Sequence, residues 1–196
     1  MSRIIASMSM SLDGFIAGPE HRIDEVFSWH HSGDEVIPVT IGDQPYEFKV
    51  GPVNAEYIRR TWGECGAILC GRALFDMTGG WGGRHPVDRP IVCYSRGVPE
   101  GWEDRDEVVF ADTIEEAAAV AKKLAGDGFV GTSGTRTVAN LLNAGLLDGI
   151  EVNLVPYLLG KGHRFFDGLS TTPIALDGPE VIEGEGVTHL RYTVRK

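Results

Sequence analysis

Three short polar turns carry the residue types that hold phosphate groups. The first is Gly131-Thr132-Ser133-Gly134-Thr135-Arg136-Thr137, which follows the apolar pair Phe129-Val130. The others are Gly71-Arg72-Ala73, after Ala67-Ile68-Leu69-Cys70, and Ser95-Arg96, after Pro90 to Tyr94. In the first turn two glycines let the main chain approach an anion, while the amides and dipole of a following helix point at it. Thr132, Ser133, Thr135 and Thr137 add hydroxyl donors, and Arg136 adds a permanent positive charge. Open α/β sheets bind ligands beyond the carboxyl ends of their strands, so parallel and adjacent strands would set all three turns on one rim. Guanidinium groups at Arg72, Arg96 and Arg136 then suit a ligand with several phosphates, such as a dinucleotide carrying a 2′-phosphate. The plainer alternative is that these are solvated arginines and glycines that punctuate turns. The Gly-x-Gly-x-x-Gly fingerprint is absent, so an ordinary Rossmann domain is not supported.

Hydride transfer to a C=N or C=O group needs a proton source near the acceptor. Asp13, in Ser11-Leu12-Asp13-Gly14, is the nearest candidate in sequence. The competing reading makes it an Asp-Gly turn residue that caps its own backbone. His30-His31 with Asp34-Glu35 has metal-binding residue types, but adjacent histidines diverge and no third ligand stands at helical spacing, which favours a solvated loop. Trp81 in its glycine-rich loop could stack on a ring or pack against the protein. Cys65, Cys70 and Cys93 have no metal-ligand spacing and read as reduced core thiols.

The elements that must position these residues alternate between strand and helix. Arg3 to Met10 is strand-like; Glu35 to Val50 is a hairpin around Gly42-Asp43 or a surface excursion. Pro52 suits a helix start leading into Val53 to Cys65. Ala67–Cys70, Pro90–Tyr94 and Glu107–Ala111 read as strands, with a short helix through Met77 and a flexible loop over Gly79–Gly83. Asp112 as N-cap with Glu115 at the third position opens the clearest helix, which closes at Gly126. Val138, Leu141 and Leu142 form one face of the helix after Gly134, Ile150 to Pro156 is a further strand, and Val187 to Val194 alternates. The expectation is a single α/β domain over residues 1–196: a three-layer αβα sandwich on a mostly parallel twisted sheet, with antiparallel strands at the C-terminus.

Composition narrows the function classes. A chain of 196 residues can bury a core without staples, and its net charge of −10 argues against nonspecific nucleic-acid binding. No apolar run approaches the ~20 residues that span a bilayer. The N-terminus runs into a strand with no leader pattern, so a cytoplasmic location is expected.

Four segments in order carry a resemblance to the dihydrofolate reductase-like superfamily, and within it to the reductase domain of bacterial riboflavin-biosynthesis deaminase/reductase proteins and their stand-alone relatives. They are Ser11-Leu12-Asp13-Gly14-Phe15-Ile16-Ala17; Gly71-Arg72; Gly131 to Thr137; and Gly145-Leu146-Leu147-Asp148 leading to Val155-Pro156-Tyr157-Leu158-Leu159-Gly160-Lys161-Gly162, with Phe165-Phe166 beyond. The resemblance implies NADPH as cofactor and hydride transfer to a small pteridine- or pyrimidine-like ring, or a related carbonyl or imine compound, with 5-amino-6-ribosylaminouracil-type reduction as one case. It also implies roles. Gly71, Arg72, Ala73, Ser95 and Arg96 match the 2′-phosphate segments, and Gly131, Thr132, Ser133, Gly134, Thr135, Arg136 and Thr137 match the pyrophosphate turn. Leu12, Gly14 and Ile16 match the mobile loop over the nicotinamide. Asp24 and Glu25 stand roughly where a substrate carboxylate is carried, and Trp29, with Tyr46 and Phe48, could line an apolar substrate wall. The family's paired glycines are replaced here by Thr132-Ser133 before Gly134, its Asp-Glu by Asp148-Gly149, and its Thr-Tyr or Thr-Trp by Leu74-Phe75. The alternative function is an NADPH-binding module without a competent acceptor site; a flavin protein on another α/β fold is a third. Relatives are often homodimers, and Val152-Leu154-Pro156-Leu158 could pair across a two-fold.

Overall fold

The computed structural model describes residues 2–41 and 44–196. In chain order the elements are β1 (Ile4–Ser11), β2 (Phe15–Ala17), β3 (Glu35–Ile41), β4 (Gln44–Val50), α1 (Pro52–Glu64), β5 (Cys65–Gly71), α2 (Arg72–Met77), β6 (Ile91–Tyr94), β7 (Val108–Ala111), α3 (Ile114–Ala125), β8 (Phe129–Thr132), α4 (Thr135–Asn143), β9 (Gly149–Val155), β10 (His163–Arg164), β11 (Leu176–Gly184) and β12 (Val187–Val194). Eight strands form one sheet in the order β11-β12-β9-β1-β8-β5-β6-β7. From β9 to β7 all neighbours are parallel. Strand β12 is antiparallel to both β9 and β11, so it alone runs against the rest.

The alternation within β1 assigns the two faces. Ile4 and Ala6 pack with Ala67 and Leu69 of β5, Val130 of β8, and the apolar faces of α3 and α4. Ile5 points the other way, to Cys65, Ile68 and Phe129. On that second face α1 brings Ala55, Tyr57 and Ile58 onto Val155 and Val187, and α2 brings Phe75 onto Cys70, Ile91 and Cys93. Helices thus cover both faces of the sheet, giving the three-layer αβα sandwich. The three cysteines are buried free thiols.

Local signals explain most element ends. Helix α1 opens on Pro52, whose fixed φ suits a first helical turn. Helix α3 is capped by Thr113, whose Oγ1 accepts from the Glu116 amide at 3.2 Å, and ends at Gly126. The cap is therefore Thr113 with Glu116, one residue beyond the Asp112–Glu115 pair expected from sequence. Gly79–Gly83 is not a free loop but a tight turn with left-handed backbone from Gly79 to Gly82, in which Gly80 is buried against the edge-to-face pair Phe75 and Trp102. Strands β3 and β4 pair as a hairpin; the expected turn at Gly42-Asp43 lies outside the described residues. Strand β11 was not anticipated, since its sequence is acidic and interrupted by Gly178-Pro179.

Strand β9 is hydrogen-bonded on both edges and Val152 is in the core, so Val152 and Leu154 cannot pair with a second strand across a two-fold. Pro156 and Leu158, beyond the end of the strand, are exposed. Among the described residues, no helix is long and apolar enough to cross a membrane.

A polar layer lies between α1 and the sheet. Glu151 accepts from Tyr57 Oη at 3.2 Å and from Arg191 Nε at 2.7 Å, and burial together with Glu151 holds the Tyr57 phenol protonated. His189 has Nδ1 2.8 Å from Asn153 Oδ1 and Nε2 3.2 Å from Asn54 Oδ1, with Tyr57 stacked on its ring at 3.7 Å. Burial, with some help from Arg60, lowers its pKa to about 4, so the ring is neutral and donates from one nitrogen only. Asn54 spends its amide nitrogen on the Glu185 carbonyl at 3.0 Å, which leaves Asn153 to turn its NH₂ toward the ring.

Two more histidines are held neutral. Burial, then the neighbouring His31 and His189, takes His30 down to about 3, and burial takes His85 to about 4. In the unfolded chain each titrates near 6.5. The unfolded state therefore binds more protons below that value. Stability is fully present above pH ~6.5 and falls on acidification toward pH ~4, with a slope of up to about 1.4 kcal/mol per pH unit for each histidine. His30→Phe, which keeps the stack on Phe48, should make the fall shallower in urea midpoints taken between neutral and acid pH. An unchanged slope would remove His30 from the account.

Candidate functional site

Strands β8, β5 and β6 are adjacent and parallel, so the three polar turns meet at one end of the sheet. Helix α4 leaves β8 toward one face and α2 leaves β5 toward the other, since Val138 and Phe75 lie in cores on opposite sides. The crevice between strands whose connections diverge is where open α/β sheets bind ligands.

Gly71, at the end of β5, makes this junction possible. A Cβ there would lie 2.3 Å from Thr137 Oγ1, in the first turn of α4. Thr137 is therefore buried against the Gly71 main chain. Arg72 begins α2; its Nε is held by both Asp76 oxygens at 2.7 and 2.8 Å, and its Nη1 lies 3.4 Å from Ser95 Oγ. Ser95 is buried and donates to the Gly97 carbonyl at 2.6 Å. Ala73, Arg96 and Arg136 are exposed.

The turn before α4 has the features of an anion cradle. Gly134 sits at φ +87° with open space where a side chain would be, and no side chain caps the helix. The Thr132 hydroxyl, at the end of β8, is buried and has no hydrogen-bond partner among the described residues. Such an orphan costs stability unless something satisfies it. Thr135 is committed: its hydroxyl donates to the Arg164 carbonyl. Gly131 lies inside β8 facing Cys65 and Ile68, so it is a packing glycine and not part of the cradle.

Strand β1 runs beyond its neighbour. Pairing with β8 stops at Ala6↔Thr132, while pairing with β9 continues to Ser11↔Val155. The Val130 amide donates to the Arg3 carbonyl, which puts the main-chain groups of odd-numbered β1 residues on the β8 side. Ser9 N–H and C=O therefore point to the β8 side beyond the last β8 pair, in a buried setting with Ser9 1% exposed.

The chain leaves β1 through Leu12 to Gly14 and enters β2. Leu12 is exposed, Gly14 has φ +90°, and Ile16 is packed in the core, so Ile16 can offer a ligand little besides backbone. Asp13 does not have the setting of an acid. Ser11 Oγ donates to it at 2.6 Å, and the Gly160 and Leu159 amides donate at 2.7 and 3.1 Å. The Ser11 bond, followed by those amides, brings its pKa down to about 2, so it holds no proton at neutral pH. It braces the 157–160 turn.

The expected substrate residues are dispersed. Asp24 is exposed on the surface. Glu25 pairs with Arg22 at 2.9 Å through one oxygen, and the other is buried without a partner among the described residues. Trp29 is 3% exposed, and its indole N–H donates to Ser9 Oγ at 2.9 Å. It joins Phe48 and Tyr46 through His30 in a packed aromatic cluster. His31 is turned away, 3.3 Å from Tyr46 Oη, and among the described residues no metal-binding group of three side chains forms. Trp81 packs edge-on against His85. Arg164, which the sequence did not single out, reaches both the loop and α4; a two-residue strand paired across about 150 positions leaves no local signal.

This sheet, with its carboxyl-end crevice and one reversed strand near its edge, is the dihydrofolate reductase-like fold. The chain superposes on a Shewanella sp. PV-4 protein assigned provisionally to riboflavin biosynthesis with a TM-score of 0.67 at 22% identity, covering 99% of each chain. Enterococcus faecalis dihydrofolate reductase, complexed with NADP(H) and RAB-propyl, matches at 0.60 and 16% identity over 99% of this chain and 97% of that one. A Thermotoga maritima diaminohydroxyphosphoribosylaminopyrimidine deaminase/5-amino-6-(5-phosphoribosylamino)uracil reductase matches at 0.61 and 13% identity over 99% of this chain and 57% of that one. Comparison with family models and with curated proteins finds no match. At these identities the likeness establishes the fold.

The Gly71–Thr137 contact gives a direct test. Gly71→Ala should destabilise by about 1–3 kcal/mol through overpacking, read from urea midpoints. Adding Thr137→Ala should recover most of the loss as a coupling between the two sites. Additive losses would mean the contact is not what makes Gly71 necessary.

Proposed function

We propose that this chain is an NADPH-dependent reductase that delivers hydride to a small pteridine- or pyrimidine-like ring, or to a related carbonyl or imine compound. The observation that carries the reading is the convergence of the three turns on adjacent parallel strands, with the orphan Thr132 hydroxyl and the uncapped start of α4 beside the central Gly71-Arg72 turn. The residues fit the cofactor. Ser133, Gly134, Thr135 and Arg136 would hold the pyrophosphate on helix amides and a guanidinium. Arg72, Ser95 and Arg96 would hold the 2′-phosphate; Asp76 takes the Nε edge of Arg72 and leaves its Nη groups to the ligand. NADPH, when bound, supplies the hydride.

Other groups shape the acceptor side. Asp13 is an anion that positions the loop, so the proton reaches the acceptor from another donor. Of the two nearby carboxylates Glu25 has the free buried oxygen, and we assign it, over Asp24, to an acceptor N–H. A uracil-type acceptor is suggested by the name of the Thermotoga neighbour. A second reading, a nucleotide-binding module without turnover, is favoured by one observation: Trp29 fills the space over Ser9.

Titration with NADPH and NADH, followed through tryptophan quenching, tests the cofactor assignment. Arg72→Ala or Arg96→Ala should weaken NADPH by ~1–3 kcal/mol and leave NADH nearly unchanged. Equal losses for both would sink the 2′-phosphate assignment. NADPH that binds but is oxidised by no heterocycle in a pteridine and pyrimidine panel would select the non-enzymatic module.

A further inference from the structure

We infer that Arg164 is a positioning residue that couples anion capture at the start of α4 to the setting of the loop 12–17. The inference rests on the cofactor reading above for the identity of the anion, and on the following geometry for the coupling. Arg164 lies on β10, which pairs with β2 through only His163↔Ala17 and Arg164↔Phe15. Its guanidinium carbon stands 4.6 Å above the Phe15 ring, and Nη1 is 3.4 Å from the Asp13 carbonyl. The next amide, Phe165 N–H, donates to the Gly14 carbonyl at 3.0 Å, and Phe165 itself is fully buried in the core. On its other side the Arg164 carbonyl accepts the Thr135 hydroxyl, in the first turn of α4. One residue thus grips the loop with its side chain and the anion cradle with its main chain.

The two grips respond to the same event. Thr135 has a single hydroxyl proton, and an anion at the helix start competes with the Arg164 carbonyl for it. The Arg164 guanidinium is exposed, and its contacts on the loop are an aromatic face and a neutral carbonyl, both weaker than an ionised oxygen. A bound pyrophosphate therefore draws on both contacts at once and loosens the clip on Phe15 and Asp13. The main-chain anchors of the loop, the Leu159 and Gly160 amides on the Asp13 carboxylate and the Phe165 amide on the Gly14 carbonyl, are not drawn on and stay made. The loop is hinged at these anchors and released at the Arg164 side chain. Arrival of the cofactor thereby resets the loop that follows β1.

Amide hydrogen exchange over residues 11–17 and 157–166 tests this, on the full chain titrated separately with NADPH and with inorganic pyrophosphate. In the wild type either ligand should raise exchange at Phe15–Ala17 several-fold while the Leu159 and Gly160 amides stay protected. Arg164→Ala should show high exchange at Phe15–Ala17 without ligand and no further change on saturation, with Leu159 and Gly160 still protected. Arg164→Lys, which keeps the charge, should recover part of the response; Thr135→Val should reduce it without altering the Phe15 contact. Thermal melts on each variant show that it is folded. A response in Arg164→Ala equal to the wild type overturns the coupling and leaves the cofactor reading intact. Binding of pyrophosphate but not NADPH overturns the cofactor reading and leaves the coupling measurable; binding of neither removes both.

Discussion

Strands β5 and β8 run side by side in one direction, and the helices that leave them depart to opposite faces of the sheet. Everything at the candidate site depends on that divergence. It opens the crevice, brings Arg72 and the start of α4 to one place, and requires a residue with no side chain where Thr137 crosses β5. A sheet has few points where two helix starts can come so close without colliding, and here the absence of one methyl group settles it. The unpaired end of β1 has the same origin: β8 ends early to turn into α4, while β1 goes on along β9.

The charge distribution follows the same geometry. On a chain of net charge −10, cationic groups gather where the parallel strands end: Arg72, Arg96, Arg136 and Arg164. Acidic groups near them are tied up. Asp76 is spent on one edge of Arg72, and Asp13 on Ser11 and two main-chain amides. A field of this kind suits a polyanionic ligand at the rim better than elsewhere on the surface. The second face is polar for a different purpose. Its Glu151–Arg191 and His189–Asn pairs fill the seam between α1 and the sheet with directional bonds, which fixes the register of the helix as an apolar seam would not.

Much of the fold was legible because short apolar runs bounded by glycine and arginine have few alternatives to a buried parallel strand. Val138, Leu141 and Leu142 declared the inner face of α4 by spacing alone, and all are buried. The three turns could be aligned on one rim from the sequence once the strands were taken as parallel. What failed did so for definable reasons. Gly131 reads like a turn glycine, but a glycine packed inside a strand has the same letter. Asp24 and Trp29 were placed by proximity in sequence within an irregular stretch, where neither side-chain direction nor depth can be inferred from spacing. The two readings of Asp13, acid or turn cap, stayed open in sequence because, although the Ser11 hydroxyl that most lowers its proton affinity is two residues off, the Leu159 and Gly160 amides come from nearly 150 residues away. Strand β11 carries almost no apolar alternation, being stabilised by its hairpin with β12 and not by burial.

That last strand has a consequence for the molecule in company. An open sheet edge invites extension by another chain's backbone. Here the outermost strand bears Asp177, Glu180 and Glu183, has no amide hydrogen at Pro179, and loses register between Asp177 and Glu180. At the opposite end β7 offers only four residues. Strand addition, whether by a peptide guest or in a growing fibre, finds a broken ladder at one border and too short a template at the other.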